Sequence, residues 1–213
     1  WEILLSGDRT VPDTRPTTSF AGAVLTGGAS HRMGQDKALL LLEGRPMASI
    51  AADALWEAGA SDVVAVGGHQ AELGARGLRW IPDDEPGQGP LGGLISALRE
   101  LRTMPVVVVL ACDLPAASPD NINAVTEIAF GLAGSPAAVV PVAAGQRQWL
   151  HAGWTAEARP ILEAAWSSGE RAPHRAGAGL NLVEVEVPDP KGLDDADWPN
   201  DLPGGSDQVG PDR

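Results

Sequence analysis

The chain has 213 residues, 44% of them apolar and 20% charged, with no run near the ~18 apolar residues that a membrane helix needs. This describes a globular, soluble chain long enough for one domain with a sizeable core. Its net charge of −13 argues against nonspecific nucleic-acid binding, and its single cysteine, Cys112, cannot form an internal disulfide, which fits a reducing cytoplasm. Residues 1–19 are expected to be a flexible arm rich in Pro and Thr, without the basic start and long apolar core of a signal peptide. Phe20 to Leu25 is an unbroken apolar run, as in a strand buried on both faces. Gly27 and Gly28 follow at once, then Arg32, Gly34 and Lys37. Adjacent glycines let a backbone turn sharply and bring N–H groups close to a ligand, and Arg and Lys neutralise phosphate charge. A strand followed by a Gly-rich turn with cations is the layout of a nucleotide phosphate site, although Gly27-Gly28 alone is equally a plain tight turn. The spacing is neither a Walker A loop nor G-x-G-x-x-G.

Further along, Ala38 to Leu42 is apolar and Glu43-Gly44-Arg45 turns the chain. Pro46 is expected to open a helix at its first position; Met47, Ile50, Ala51, Ala54 and Leu55 follow at helical spacing, and Gly59 ends it. A second strand is expected over 62–68, with His69 after it as a loop or cap residue, and a third over 78–82, running into Asp83-Asp84. The segment Glu85 to Gly93 is too rich in Gly and Pro to be regular, and it passes into a helix with Leu91, Leu94, Ile95, Leu98 and Leu101 on one face. Gly92 and Gly93 near its start put N–H groups where an anion or a base edge can sit.

The strongest strand is Val106 to Ala111, which ends in Cys112-Asp113-Leu114-Pro115. A carboxylate at the C-terminal end of a buried parallel strand sits where open α/β sheets bind ligands, and carboxylate oxygens suit Mg²⁺; Asp113 as a cap for the next turn is the alternative. Ser118 and Pro119 open another helix, followed by strands over 137–142 and 148–155, a helix over 156–168, and an edge-like strand over 180–187 with Glu184 and Glu186 on a wet face. Nine acids against two cations from Glu184 onward supply −7 of the net charge, and 203–213 is expected to be a disordered acidic tail. Strands alternating with helices predict βαβ units: an α/β fold, one three-layer α/β/α domain over 20–202 with a Rossmann-like, mostly parallel sheet. There is no Ser-His-Asp set and no Cys/His cluster with zinc spacing.

The stretch Leu25 to Lys37 resembles the opening motif of the molybdenum cofactor guanylyltransferase family, Leu-x-Gly-Gly-x-Ser-x-Arg-Met-Gly-x-Asp-Lys. Leu25, Gly27, Gly28, Ser30, Arg32, Met33, Gly34, Asp36 and Lys37 all match. The family's Gly-Pro-Leu-x-Gly segment matches at Gly89, Pro90, Leu91 and Gly93, and its Cys-Asp-x-Pro at Cys112 to Pro115. The resemblance covers roughly Phe20 to Leu202. It implies a nucleotidyltransferase of the same α/β type that moves GMP from GTP to molybdenum-carrying molybdopterin, with pyrophosphate leaving. Leu25, Thr26, Gly27, Gly28, Lys37, Asp83 and Gly92 match nucleotide-binding positions, and Asp113 matches the Mg²⁺ and GTP ligand. Lys37, Arg32 and Asp113 would be the catalytic set. The Gly27-Gly28 form of the loop leans towards guanine, since cytidine-using relatives tend to have Ala-Ala-Gly.

Some relatives place Asn where this chain has Ala65 and Gly67, so one donor contact of the family is missing here. The acceptor half departs further: many relatives have His-Pro at Gln148-Trp149. Gly169-Glu170-Arg171 matches a segment near the pterin side, so Gln148, Trp149, Glu170 and Arg171 are the acceptor candidates. Asp195 and Asp197 stand where relatives often have Asn; the pair reads first as a solvated acidic turn, with either residue a candidate second oxygen ligand for the cation. Hand-over contacts with other molybdenum cofactor proteins follow from the same resemblance. The alternatives are cytidylyl transfer, a sugar or alditol phosphate acceptor, or a non-catalytic nucleotide binder.

Overall fold

The computed structural model describes residues 19–28 and 36–196. Its first strand, β1 (Phe20–Leu25), is buried along its whole length. A 3-10 turn at Lys37–Leu39 leads to a hairpin of β2 (Leu41–Leu42) and β3 (Arg45–Pro46). Then come α1 (Met47–Glu57), β4 (Val63–Val66), α2 (Gln70–Ala75), β5 (Arg79–Ile81), α3 (Pro90–Glu100) and β6 (Val106–Ala111). The second half holds α4 (Pro119–Leu132), β7 (Ala137–Ala143), β8 (Gln146–Arg147), β9 (Gly153–Thr155), α5 (Arg159–Ser167), α6 (Pro173–Ala176) and β10 (Asn181–Glu186).

Among the described residues, one sheet of eight strands runs in the order β10-β7-β9-β6-β1-β4-β5, with β8 paired to β7. The pairs β1–β4, β1–β6, β4–β5 and β7–β10 are parallel. β9 runs antiparallel to both β6 and β7. The fold is the expected α/β class with a mostly parallel sheet, and β10 is the edge strand its alternating pattern predicts.

The period-2 alternation of the strands divides the core. Ala21, Ala23 and Leu25 of β1 face one cluster with Leu91, Leu94 and Leu98 of α3 and Leu162 of α5. Phe20 and Val24 face the other, with Leu55 of α1 and Ile122 and Val125 of α4. Each Leu sealed in these layers contributes roughly 1.5–3 kcal/mol of burial. Gly22 lets α1 approach this closely, because a Cβ there would lie 2.6 Å from a Leu55 methyl.

Local signals misplace some boundaries. Pro46 is not the first helical residue; it is extended (φ −61°, ψ 141°), pairs with Leu41 and precedes α1, because the Glu43-Gly44 turn (φ 51° and 79°) closes a hairpin first. The single strand expected over 148–155 is a 3-10 turn, Trp149–His151, followed by the three-residue β9. Trp149 turns inward to pack on Trp154 (ring centroids 6.1 Å apart), which an extended chain would not allow. The short helices α2 and α6 carry too few periodic residues to be seen in the sequence. The arm, the acidic tail, Arg32 and Asp197 lie outside the described residues.

Candidate active site

A cleft of about 430 Å³ opens at the C-terminal ends of β1, β4 and β6. One wall is the chain leaving β1. Thr26 is buried, and its hydroxyl faces the Val66 and Gly67 carbonyls at 3.0 and 2.9 Å. The Thr26 and Gly27 amides both donate to the Val66 carbonyl at 3.0 Å. The amide of Gly27 is therefore not one of the bare N–H groups expected of this loop, although Gly27 and Gly28 are exposed and line the cleft.

Across from this wall lie Lys37 and Asp113. Asp36 caps the turn that carries Lys37, its Oδ1 accepting from the Ala38 amide at 3.0 Å. Lys37 Nζ then reaches Asp113 Oδ2 at 3.0 Å, with the two side chains only 12% and 19% exposed. The pair joins residues 76 apart in sequence. It exists because β1 and β6 are parallel neighbours, so the segments that leave them emerge at one end of the sheet. Beside Asp113, burial pushes the pKa of the half-buried Cys112 thiol up, which favours its protonated form.

The third wall is Asp83 and the start of α3. A Cβ on Gly92 would sit 3.3 Å from Asp83 Oδ1, and one on Gly93 3.9 Å from Oδ2. The carboxylate thus lies against the glycine pair at a helix N-terminus, where negative charge is favoured. Burial is the largest influence on Asp83 and raises its pKa. Its neighbour Asp84 is pinned twice: its backbone N–H donates a hydrogen bond to Ser96 Oγ (3.1 Å), and its carboxylate accepts one from the Arg99 guanidinium (2.8 Å). Gly93 lines the cleft, whereas Gly92 is buried against the Trp166 ring and gives its amide to the Gly89 carbonyl. Gly67, where relatives carry Asn, holds φ +75°, and a Cβ there would sit 3.1 Å from Gly27 Cα and 3.3 Å from Asp83 Cβ.

The structure therefore brings Leu25, Thr26, Gly27, Gly28, Lys37, Asp83 and Asp113 to one cleft. Gln148, Trp149, Glu170 and Arg171 do not line it; Leu150 does. Trp149 packs between Trp154 and His174. Glu170 accepts from Arg175 and from the Arg171 and Ala172 amides, and this, Arg175 first, lowers its pKa to about 2. Arg171 stacks on Trp166 at 3.9 Å, while its carbonyl meets the Leu91 amide at 3.4 Å beside the Gly-Pro wall. Asp195 is exposed; the next residue, Ala196, donates its amide to the Asp113 carbonyl at 2.9 Å. Among the described residues no three His, Cys, Asp or Glu gather to hold a metal, and no helix is long and apolar enough to cross a membrane.

Sequence reasoning left out Leu150, which lines the cleft, and His69, which contacts the lining residue Asp36. Leu150 is hidden in a segment that looks like a strand. His69, read as a loop residue, puts Nδ1 2.9 Å from Asp36 Oδ2; the two are 33 residues apart, and no local pattern links them.

The model of the MobA-like NTP transferase domain matches residues 22–180. A probable molybdenum cofactor guanylyltransferase of Opitutus terrae is 41% identical over 101 residues, which are 46% of this chain and half the length of that relative. One from Methanothermobacter thermautotrophicus is 35% identical over 155 residues, 70% of this chain and 78% of that protein. The crystal structure of molybdopterin-guanine dinucleotide biosynthesis protein A from Archaeoglobus fulgidus superposes with a TM-score of 0.69 at 26% identity, over 87% of this chain and 96% of that one. Motif, cleft and sheet topology agree with these likenesses, and the chain belongs to the MobA-like NTP transferase family.

Proposed function

We propose that this nucleotidyltransferase moves GMP from GTP to molybdenum-bearing molybdopterin and releases pyrophosphate, forming the guanine dinucleotide cofactor. The observation that carries the reading is the Lys37–Asp113 pair across the mouth of the cleft, 3.0 Å apart and largely buried. A phosphate oxygen of the acceptor attacks the α-phosphorus of the triphosphate, and the bond to the β-phosphate oxygen breaks. The nucleophile is already anionic, so no protein base is needed, and positioning and charge neutralisation carry the catalysis. Thr26, Gly27 and Gly28 form one wall of the nucleotide site, and Asp83, lying against the start of α3, would accept donors from the ribose or base. The donor half supports the reading through its geometry, and relatives named for the same reaction support the acceptor.

Asp113 fits a magnesium ion. Its carboxylate supplies hard oxygens beside the cleft, its charge is met here by an ammonium group, and one protein carboxylate with substrate phosphates is a usual Mg²⁺ set. When bound, the ion would neutralise charge on the leaving pyrophosphate. Lys37 would exchange Asp113 for the triphosphate, and Asp113 would turn to the ion. Arg32 would add a second cation from the same loop. A cytoplasmic setting suits a GTP donor, and an oxidation-prone product suits direct hand-over to a receiving protein.

The test is calorimetric binding of GTP, CTP, ATP and UTP with Mg²⁺, followed by pyrophosphate release in the presence of molybdopterin. GTP selectivity with pterin-dependent release supports the reading. A preference for CTP would move the donor assignment to cytidine, and release without pterin dependence would remove the acceptor.

A further inference from the structure

The end of the phosphate loop is held from two sides. Lys37 is tied to Asp113 beyond β6, and its neighbour Asp36 is tied to His69 beyond β4. β4 and β6 are the two strands that flank β1. Asp36 spends Oδ1 on the Ala38 amide and Oδ2 on His69 Nδ1, so one carboxylate joins the turn under Lys37 to the next strand end. His69 occupies the N-cap position of α2 but makes no side-chain capping bond there. Gly67 and Gly68, at φ +75° and +69°, carry the chain from β4 across to His69, and a Cβ on Gly68 would lie 2.7 Å from the Thr26 carbonyl oxygen. Only glycine fits there, and the tight crossing brings the imidazole back to Asp36.

We propose that His69 is a positioning residue: its Nδ1–H donates to Asp36 and fixes the turn from which Lys37 reaches the nucleotide phosphates. The inference rests on the nucleotidyltransferase reading. In it, Lys37 must leave Asp113 when a triphosphate binds, and the Asp36–His69 bond is what keeps the backbone of Lys37 in place during the exchange. His69 touches no reacting atom. Loss of the bond costs affinity because the loop must then be ordered by the nucleotide itself.

His69→Ala is the first variant. The side chain is 67% exposed, so its removal leaves the core intact. The expected result is a rise of about two- to fivefold in Kd and KM for GTP, the size of an exposed charge-assisted bond, with kcat unchanged. His69→Asn restores a donor close to the Nδ1 position and is expected to recover most of the affinity. Amide hydrogen exchange of residues 36–40 in the nucleotide-free protein reads the same clamp without substrate, and His69→Ala is expected to speed it. Wild-type GTP affinity in His69→Ala with unchanged exchange at 36–40 would overturn the proposal, as would a His69→Asn variant no better than Ala. If the wild-type protein binds no GTP, the functional reading fails, while the exchange arm still decides whether His69 holds the loop.

Discussion

The cleft and the segment around Glu170 hold their charges differently. On the donor side the ion pairs join segments far apart in sequence: Lys37 with Asp113, 76 residues away, and Asp36 with His69, 33 away. On the other side Glu170 meets Arg175, five residues away, and Arg171 lies on Trp166, also five away. Trp149 is committed to Trp154 and His174. A pair strung between strand ends can be opened by a ligand without unfolding a loop. A pair within one short segment is what gives that segment its shape. The Lys37–Asp113 side of the cleft is thus poised for a charged ligand, while Trp149, Glu170 and Arg171 hold contacts that shape their own segments.

The comparison breaks most directly at Lys37. Lys37→Ala is expected to lower kcat by about 10²–10³-fold and weaken GTP, with Asp113→Ala similar in turnover. Steady-state pyrophosphate release checks this, and equal losses from Glu170→Gln would erase the difference between the two sides. A second effect, smaller but still large, comes from the buried His151, which lines a small cavity with Leu110, Ile122 and Pro141. It is 8% exposed, its Nε2 has no partner among the described residues, and burial lowers its pKa to about 4. A histidine depressed from 6.5 binds its proton in the unfolded chain first, so stability is full above about pH 6.5 and falls as pH drops towards 4. The loss over that window is about 3 kcal/mol, and urea unfolding at pH 7 and pH 5 should show most of it absent in His151→Leu. The smallest effect belongs to Glu170. Its lowered pKa means its pairing stabilises above about 4.5 and is lost as pH falls through about 2. Glu170→Gln should therefore depress Tm slightly at pH 7, by an amount that shrinks on acidification, with KM for GTP unchanged.

Much of the donor half was legible because its signals are local. Asp113 follows an apolar run, and Lys37 ends a fixed-spacing motif, so both could be named without knowing that they touch. Gln148 and Trp149 stand where the chain departs from the family pattern, and a pattern does not say whether a Trp faces ligand or core. Trp149 faces core because the 3-10 turn rotates it onto Trp154. Gly92 and Gly93 look equivalent in sequence, and helical rotation alone puts Gly93 at the cleft and Gly92 under Trp166.

Alone, the sequence determined the strands β1 and β6, the helices α1, α3 and α4, the loop motif and the family. The elements follow from periodicity or spacing within a few tens of residues, and the family from the resemblance of the loop motif to a known pattern. Tertiary structure decided the strand order, the reversal of β9, the Lys37–Asp113 contact and the Asp36–His69 clamp. Those depend on which strand ends become neighbours when the sheet assembles. That is set by how the two faces of the sheet are covered by helices, a property of the whole chain that no local window contains.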